Sequence, residues 1–408
     1  MLLAAPLAGA ASPASAVDLR SPAPAAGGAA LVRAVESGPT LVVGTIADPR
    51  ALDEHGWTAR IQVEQTLSGA TQAGSTLEIG WEELAKSRPP RFTAGGRALV
   101  ALGPLPQSSL WHARFPAGGA LAVQGDGEAF LRDPDPATIS ALERWSKLGA
   151  SEREANAGVW ALAALWASAE PSVAEGALAR LAEIPGLDGK VYGDAAATLA
   201  TGLASSARPL PLREAMLRLA GERRLGALQP AIEELGQRGD PLEAPALDAL
   251  ATISGGLPEE RVRGLLSRHE AAVRAVGVRW ARGPLVGSLA PMVKGDPSPE
   301  VRAAALIALV DQQEMAAFDI AAQGLFDPDP AVRAVAAKRI GALGAPAVPG
   351  LVALVEARSM PEAGAPIAAL VFTGGAGRAA VGSIAESHSD PRVRSAARMA
   401  LGKLASEK

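Results

Sequence analysis

The residues best suited to proton transfer or metal ligation near neutral pH are four histidines, His55, His112, His269 and His388, and they are scattered along 408 residues. His269-Glu270 has no second histidine one helical turn on, so it lacks the paired imidazoles of a helical zinc site. His388, two residues before Asp390, falls at a helix start, and His112, beside Trp111, reads as a strand-edge residue. Zero cysteines exclude disulfides, thiolate metal sites, a Cys nucleophile and a lipid-modified N-terminal Cys. Gly374-Gly375-Ala376-Gly377-Arg378 has the glycine density of a phosphate-cradling loop, but without the Lys-Ser/Thr pair or a preceding strand it reads as an inter-helix turn. The acidic pairs Glu82-Glu83 and Glu259-Glu260 have no visible acid–base partner, and the second suits the first turn of a helix. The expectation is a non-enzyme that holds neither metal nor cofactor.

Aromatic side chains offer the other chemistry, that of recognition. Only 3% of the residues are aromatic, yet Trp145, Trp160 and Trp166 crowd into one short stretch. Two roles are open to them: filling the cap and domain interface of a helical array, or forming a binding hot spot. Burial of all three indoles would decide for the first.

The elements that position these groups follow from composition. With 48% apolar residues and so few aromatics, Ala, Leu and Val must build most of the core, which favours closely packed helices punctuated by the 44 Gly and 32 Pro. Such length exceeds one compact core. A formal charge of −4 gives no overall attraction to a phosphate backbone, so nucleic acid is not an expected partner. Beyond residues 1–16 there is no apolar run of the roughly 20 residues that span a bilayer. Residues 2–16, LLAAPLAGAASPASA, have the apolar stretch and small residues, Ala14 and Ala16, of a secretory leader cleaved after Ala16, although no Lys or Arg precedes the apolar core. An Ala/Pro-rich flexible segment is expected over 17–38.

From residue 39 to 132 the texture is that of strands: TLVVGTIA, WTARIQVEQTL, STLEIGW and GRALVAL, then LWHARF and ALAVQGDGEAFL, with Gly125-Asp126-Gly127 as a hairpin signal. Alternation along the second run places Ala59, Ile61, Val63 and Gln65 on a buried side, and Thr58, Arg60, Gln62, Glu64 and Thr66 on a wet one.

The second half repeats. Ser298-Pro299-Glu300-Val301-Arg302, Asp329-Pro330-Ala331-Val332-Arg333 and Asp390-Pro391-Arg392-Val393-Arg394 share a polar residue, Pro, Val and Arg ahead of an Ala-rich run. Arg302 and Arg333 are 31 residues apart, and Arg333 and Arg394 are 61 apart. The intervening copy lies at Met360-Pro361-Glu362-Ala363-Gly364, with Gly364 at the Arg position. Running the register backwards finds His269 to Arg274, Asp240-Pro241 with Ala244, Pro209 to Arg213, and Glu170-Pro171-Ser172-Val173-Ala174, about eight units in all. Each phrase starts a helix: Asp329 or Asp390 caps it, Pro at the first position loses no hydrogen bond, and Val332, Val335, Ala336, Ile340 and Leu343 form the buried stripe. Arg302, Arg333 and Arg394 are expected to form an inter-repeat ladder with acidic or carbonyl partners.

The phrase and its period resemble the HEAT repeats of the phycobilisome-lyase type, over roughly residues 150–408. The run "LVVGTI … ARIQVEQTLSG … STLEIGW … RFTAGGRALVAL" resembles a β domain at the front of many exported bacterial proteins, similar to the OB-like barrel of netrin and tissue-inhibitor modules, over about residues 31–132. Those inhibitors depend on an N-terminal cysteine, so their metalloprotease inhibition is not implied here. The expected architecture is an all-α HEAT-like solenoid over 133–408, preceded by a small all-β barrel-like domain over 39–132. The expected function is an exported, periplasmic or extracellular scaffold that binds a protein partner on the concave surface of the solenoid. The alternatives are a bilin-lyase-like or chaperone-like factor, and an inhibitor or sensor acting through the β domain.

Overall fold

Alternating apolar residues between Thr40 and Arg132 build six strands in the computed structural model: β1 (Thr40–Ala51), β2 (Gly56–Ser68), β3 (Thr76–Glu82), β4 (Arg97–Gly103), β5 (Ala120–Val123) and β6 (Phe130–Arg132). The structure describes residues 28–52, 56–82, 92–105, 120–125 and 127–406. The leader at 1–16, residues 17–27, His55, Glu83, His112 with its LWHARF strand, and Asp126 lie outside the described residues. The chain divides into two compact units, Met1–Ala231 and Ile232–Lys408.

In the first unit, β1 pairs antiparallel with both β2 and β4, β2 pairs antiparallel with β3, and β3 runs parallel to β5. The second edge of β4 is divided between β6 at residues 98–100 and β5 at residues 102–103. The order β1-β2-β3-β5-β4 therefore returns to β1 and closes a five-stranded barrel, with β6 appended. Closure leaves few unpaired edges. Val42, Ile46, Ile61, Val63, Ile79, Val100 and Leu102 fill the interior together with Trp81 and Phe92, whose rings meet edge to face at 4.8 Å.

The expected alternation of β2 holds at Ala59, Ile61 and Val63 and fails at Gln65, which is exposed. Gly44 pairs with Val63 but Val43 pairs with Gln65, so the ladder bulges there and the inward phase shifts by one residue. Thr58, expected on the wet side, is buried because its hydroxyl donates to the Ile79 carbonyl at 2.9 Å. Gly44 faces the crowded inside of this pair, where a Cβ would meet the Gln62 carbonyl oxygen and the Ile61 side chain. Gly44→Ala is expected to cost about 1–3 kcal/mol by overpacking, read as a lower denaturation midpoint with an unchanged m-value.

The flexible segment expected over 17–38 is, from Gly28 on, helical: α1 (Gly28–Ala34) runs into a 3₁₀ turn, Val35–Ser37, with Leu31, Val32 and Val35 buried. Small residues that read as a linker here let two helices approach closely. Gly176 faces Ala29, and the Gly28 amide donates to the Ser172 hydroxyl at 3.2 Å. The helix that α1 meets is α4; the longer helices of this unit are, in order, α2 (Pro136–Lys147), α3 (Asn156–Trp166), α4 (Pro171–Glu183), α5 (Gly193–Ala204) and α6 (Leu210–Glu222). Because α1 and α2 also touch barrel strands, the barrel and these helices belong together to the first unit, Met1–Ala231.

The second unit is helical: α7 (Glu243–Ser254), α8 (Glu259–Leu266), α9 (Ala271–Trp280), α10 (Leu289–Gly295), α11 (Pro299–Gln313), α12 (Phe318–Gln323), α13 (Pro330–Ala342), α14 (Val348–Glu356), α15 (Gly364–Phe372), α16 (Gly375–Ser387) and α17 (Pro391–Ser406). Helices α9, α11, α13, α15 and α17 pack successively on one another, and α10 against α12 and α14 against α16 supply the other layer. Pro299, Pro330 and Pro391 each open a helix, and Val301, Val332 and Val393 are fully buried. Gly374 and Gly375 lie at the start of α16, in a turn between helices.

Candidate functional site

Two constellations emerge from this scaffold. The first is the arginine series of the repeated phrase. At Arg274, Arg302, Arg333 and Arg394 the Nη1 group donates to the carbonyls six and five residues upstream, the last turn before the helix. For Arg333 these are Asp327 and Pro328, at 2.7 and 2.9 Å; for Arg394 they are His388 and Ser389, at 2.6 and 3.1 Å. This fixes the guanidinium plane and satisfies carbonyls that no helix can use.

Two of the arginines then reach forward. Arg302 Nε and Nη2 each donate to the Asp327 carboxylate at 2.8 Å, and Arg274 grips Asp296 in the same bidentate way, also at 2.8 Å. Each aspartate lies in the turn of the next repeat, so the pairs link successive hairpins. Each also accepts a backbone amide two residues on, from Ser298 to Asp296 and from Asp329 to Asp327. The Arg302 fork holds the Asp327 carboxyl below its ordinary range against the opposing effect of burial. For Asp296 burial pushes upward, but the hydrogen bonds from Arg274 and the Ser298 amide outweigh it and the net shift is down. Arg302 and Arg274 are raised correspondingly by their aspartates.

The acidic partners share a register position that the phrase alignment missed, three residues before the proline position of each phrase, which opens the helix in every copy but that of Pro361, where the helix begins at Gly364. It is occupied in turn by Arg268, Asp296, Asp327, Arg358 and His388. Where it is Asp, the ladder is ionic. Where it is Arg358, Arg333 makes no hydrogen bond to a carboxylate among the described residues and holds the carbonyls of its own turn. His388 is buried, and its Nδ1 accepts the Asp390 amide at 3.0 Å, as the aspartates do for the equivalent amides. The caps sit at Asp329, which accepts the Ala331 and Val332 amides, and Asp390, which accepts that of Arg392. The turn ahead of Ser298 is held by Asp296 instead, and Ser298 makes no side-chain cap.

The second constellation is aromatic, and it splits the tryptophan trio. Trp145 is fully buried, its indole donating to the Val32 carbonyl at 3.1 Å under the Arg153 guanidinium. Trp166 is equally buried, donating to the Leu199 carbonyl at 3.2 Å, with Arg208 4.5 Å above the ring. Trp160, on another face of α3, is 47% exposed, and so is Tyr192 just before α5. Their rings meet edge to face at 6.5 Å, and Asn156 donates to the Tyr192 hydroxyl at 2.7 Å. The structural role thus belongs to Trp145 and Trp166, and the surface role is open to Trp160. Tyr192 was missed in the sequence, although as the chain's single tyrosine it was conspicuous.

Among the described residues no group of three or more His, Asp or Glu side chains could hold a metal ion, and no single helix is long and apolar enough to cross a membrane.

Residues 288–370 match the family of HEAT repeats, a span that contains the Arg302–Asp327 pair and Arg333. Together with the stacked hairpins this supports a HEAT-repeat protein. Among solved structures, human deoxyhypusine hydroxylase in complex with glycerol is similar at 21% identity, over 60% of this chain and 96% of that one, with a TM-score of 0.28. At that score the similarity carries no argument about fold or activity. No curated protein matches the chain.

Proposed function

We propose that this chain is a non-enzymatic binding protein whose helical hairpins stack as a HEAT solenoid, and that its recognition surface for a protein partner centres on Trp160 and Tyr192. The observation that carries this reading is the exposed pair itself. Among the described residues three rings stand about half in solvent, Trp160, Tyr192 and Phe372, and of these Trp160 and Tyr192 meet each other and are braced by Asn156. Rigid, amphipathic aromatics bury large area at small entropic cost, which makes Trp and Tyr the commonest hot-spot residues. Stacked hairpins offer an extended concave face for such contacts.

The phrase and its 31-residue period support assigning the repeats to the phycobilisome-lyase type. The closed order β1-β2-β3-β5-β4 supports an OB-type barrel related to netrin modules. The leader sequence at 1–16 supports export to the periplasm or the extracellular space.

Affinity capture from an envelope fraction, using the full chain and its Trp160→Ala variant in parallel, tests the proposal. A partner retained by the parent should be lost or weakened about 30-fold or more by the variant, the effect of removing a hot spot worth 2 kcal/mol or more. Stability should stay within about 0.5 kcal/mol. Equal capture by both proteins sinks the aromatic pair as the recognition surface.

A further inference from the structure

The ladder changes character at Arg333, and a cleft opens there. Its volume is about 480 Å³, and its lining includes Phe326, Pro328, Arg333, Arg358, Pro361 and Glu362. That size is within the usual range of small-molecule sites. Arg333 is anchored in the same manner as Arg274 and Arg302, with Nη1 pinned on the two carbonyls of its own turn. In those two repeats the remaining Nε–Nη2 edge closes on an aspartate of the next turn with paired 2.8 Å hydrogen bonds. At Arg333 that edge makes no hydrogen bond among the described residues, because the chain supplies Arg358 at the position where it earlier supplies Asp296 and Asp327.

We infer that Arg333 is a preformed carboxylate clamp, and that the cleft beside it binds a carboxylate carried on an apolar stem. The inference does not rest on the aromatic pair and goes beyond the scaffold reading. The partner chemistry is set by three features. The Nε–Nη2 edge is a planar two-donor fork, which matches two carboxylate oxygens bidentately. Arg358, whose guanidinium carbon lies 3.8 Å from the centre of the Phe326 ring and which pairs with Glu362 at 2.7 Å, adds a second cation on the rim. Phe326, Pro328 and Pro361 provide apolar walls for the stem. Glu362 and Asp327, both on the same lining, place negative charge nearby, which penalises a dianionic phosphate more than a singly charged carboxylate.

Two sources share this chemistry, the α-carboxylate of a peptide ending in an apolar residue and a small aliphatic acid. Calorimetric titration of the full chain with N-acetyl-Ala-Ala-Leu, its C-terminal amide, octanoate and inorganic phosphate separates them. The expected result is saturable binding of the peptide acid, of octanoate, or of both. The peptide amide should bind about tenfold or more weakly than the acid whenever the acid binds, and phosphate should not compete. Binding of the peptide alone assigns a chain terminus, and binding of octanoate alone assigns a small acid.

Arg333→Lys keeps the charge and loses the fork, and should weaken the bound carboxylate about tenfold or more. Arg358→Asp offers Arg333 an internal carboxylate at the ladder position; it should abolish binding and raise the melting temperature. This second variant keeps the test decisive if Arg333→Lys fails to fold. The inference is overturned if neither carboxylate binds, if acid and amide bind equally, if phosphate displaces the ligand, or if Arg358→Asp binds carboxylate as the parent does.

Discussion

Asp327→Ala is expected to lower the stability of the chain by about 3–5 kcal/mol, the usual consequence of leaving one member of a buried ion pair alone. Only 10% of the Arg302 side chain and 6% of Asp327 are exposed. The substitution strips both 2.8 Å hydrogen bonds from a guanidinium that remains pinned to the Asp296 and Pro297 carbonyls and cannot swing into water without breaking them. It also removes the acceptor of the Asp329 amide. A surface pair such as Arg358 with Glu362 would cost less than about 1 kcal/mol. Denaturant unfolding followed by circular dichroism at pH 7 gives the number, and a loss below about 1 kcal/mol would mean that the ladder is not structural.

The same pair has a pH signature. Asp327 has a native pKa below its unfolded value of about 3.9. Its contribution is therefore complete above that value and is lost as pH falls through the native pKa. Asp296 acts in the same direction. Consequently the stability gap between the parent and Asp327→Asn should be constant above about pH 5 and shrink below about pH 4. A gap that widened with acid would contradict the assignment.

Trp166→Ala is the second large effect, expected to cost about 3–5 kcal/mol. The indole is fully buried and donates to the Leu199 carbonyl, and it lies against Gly202, where even a Cβ would collide with the ring nitrogen. Removing the ring creates a cavity, orphans the carbonyl and takes the aromatic face from under Arg208. Trp166→Phe should recover part of the loss but not the hydrogen bond. Trp160→Ala, six residues earlier on the same helix, should change stability by no more than about 0.5 kcal/mol. That contrast, measured by thermal unfolding, separates the two roles of the tryptophan trio.

How much of this was legible in the sequence depended on how local the cause was. The starts of α11, α13 and α17 could be placed because Pro at the first helical position and the buried Val two residues later act within one turn. The forward half of the ladder was hidden because Asp296 and Asp327 lie in the turn ahead of the aligned phrase, and the chemistry there alternates among Asp, Arg and His. Arg333 and Arg394 accordingly find carbonyls of their own turn where an inter-repeat partner was expected. The barrel strands followed from alternation, but the bulge at Val63 and Gln65 is a property of the pair β1–β2, and no single strand announces it. Helix α1 looked like linker because Gly and Ala are ambiguous alone; Gly28 meets Ser172, and Ala29 meets Gly176, only once α4 is folded. The Trp160–Tyr192 pair likewise forms only when α3 and the start of α5 are brought together.

Hydrogen exchange of the full chain, with and without a captured partner, tests the central claim most directly. The account predicts that binding slows exchange most in the first turns of α3, around Asn156 and Trp160, and in the segment that carries Tyr192. Protection confined to the barrel strands β1 to β6, with these two segments unchanged, would contradict it.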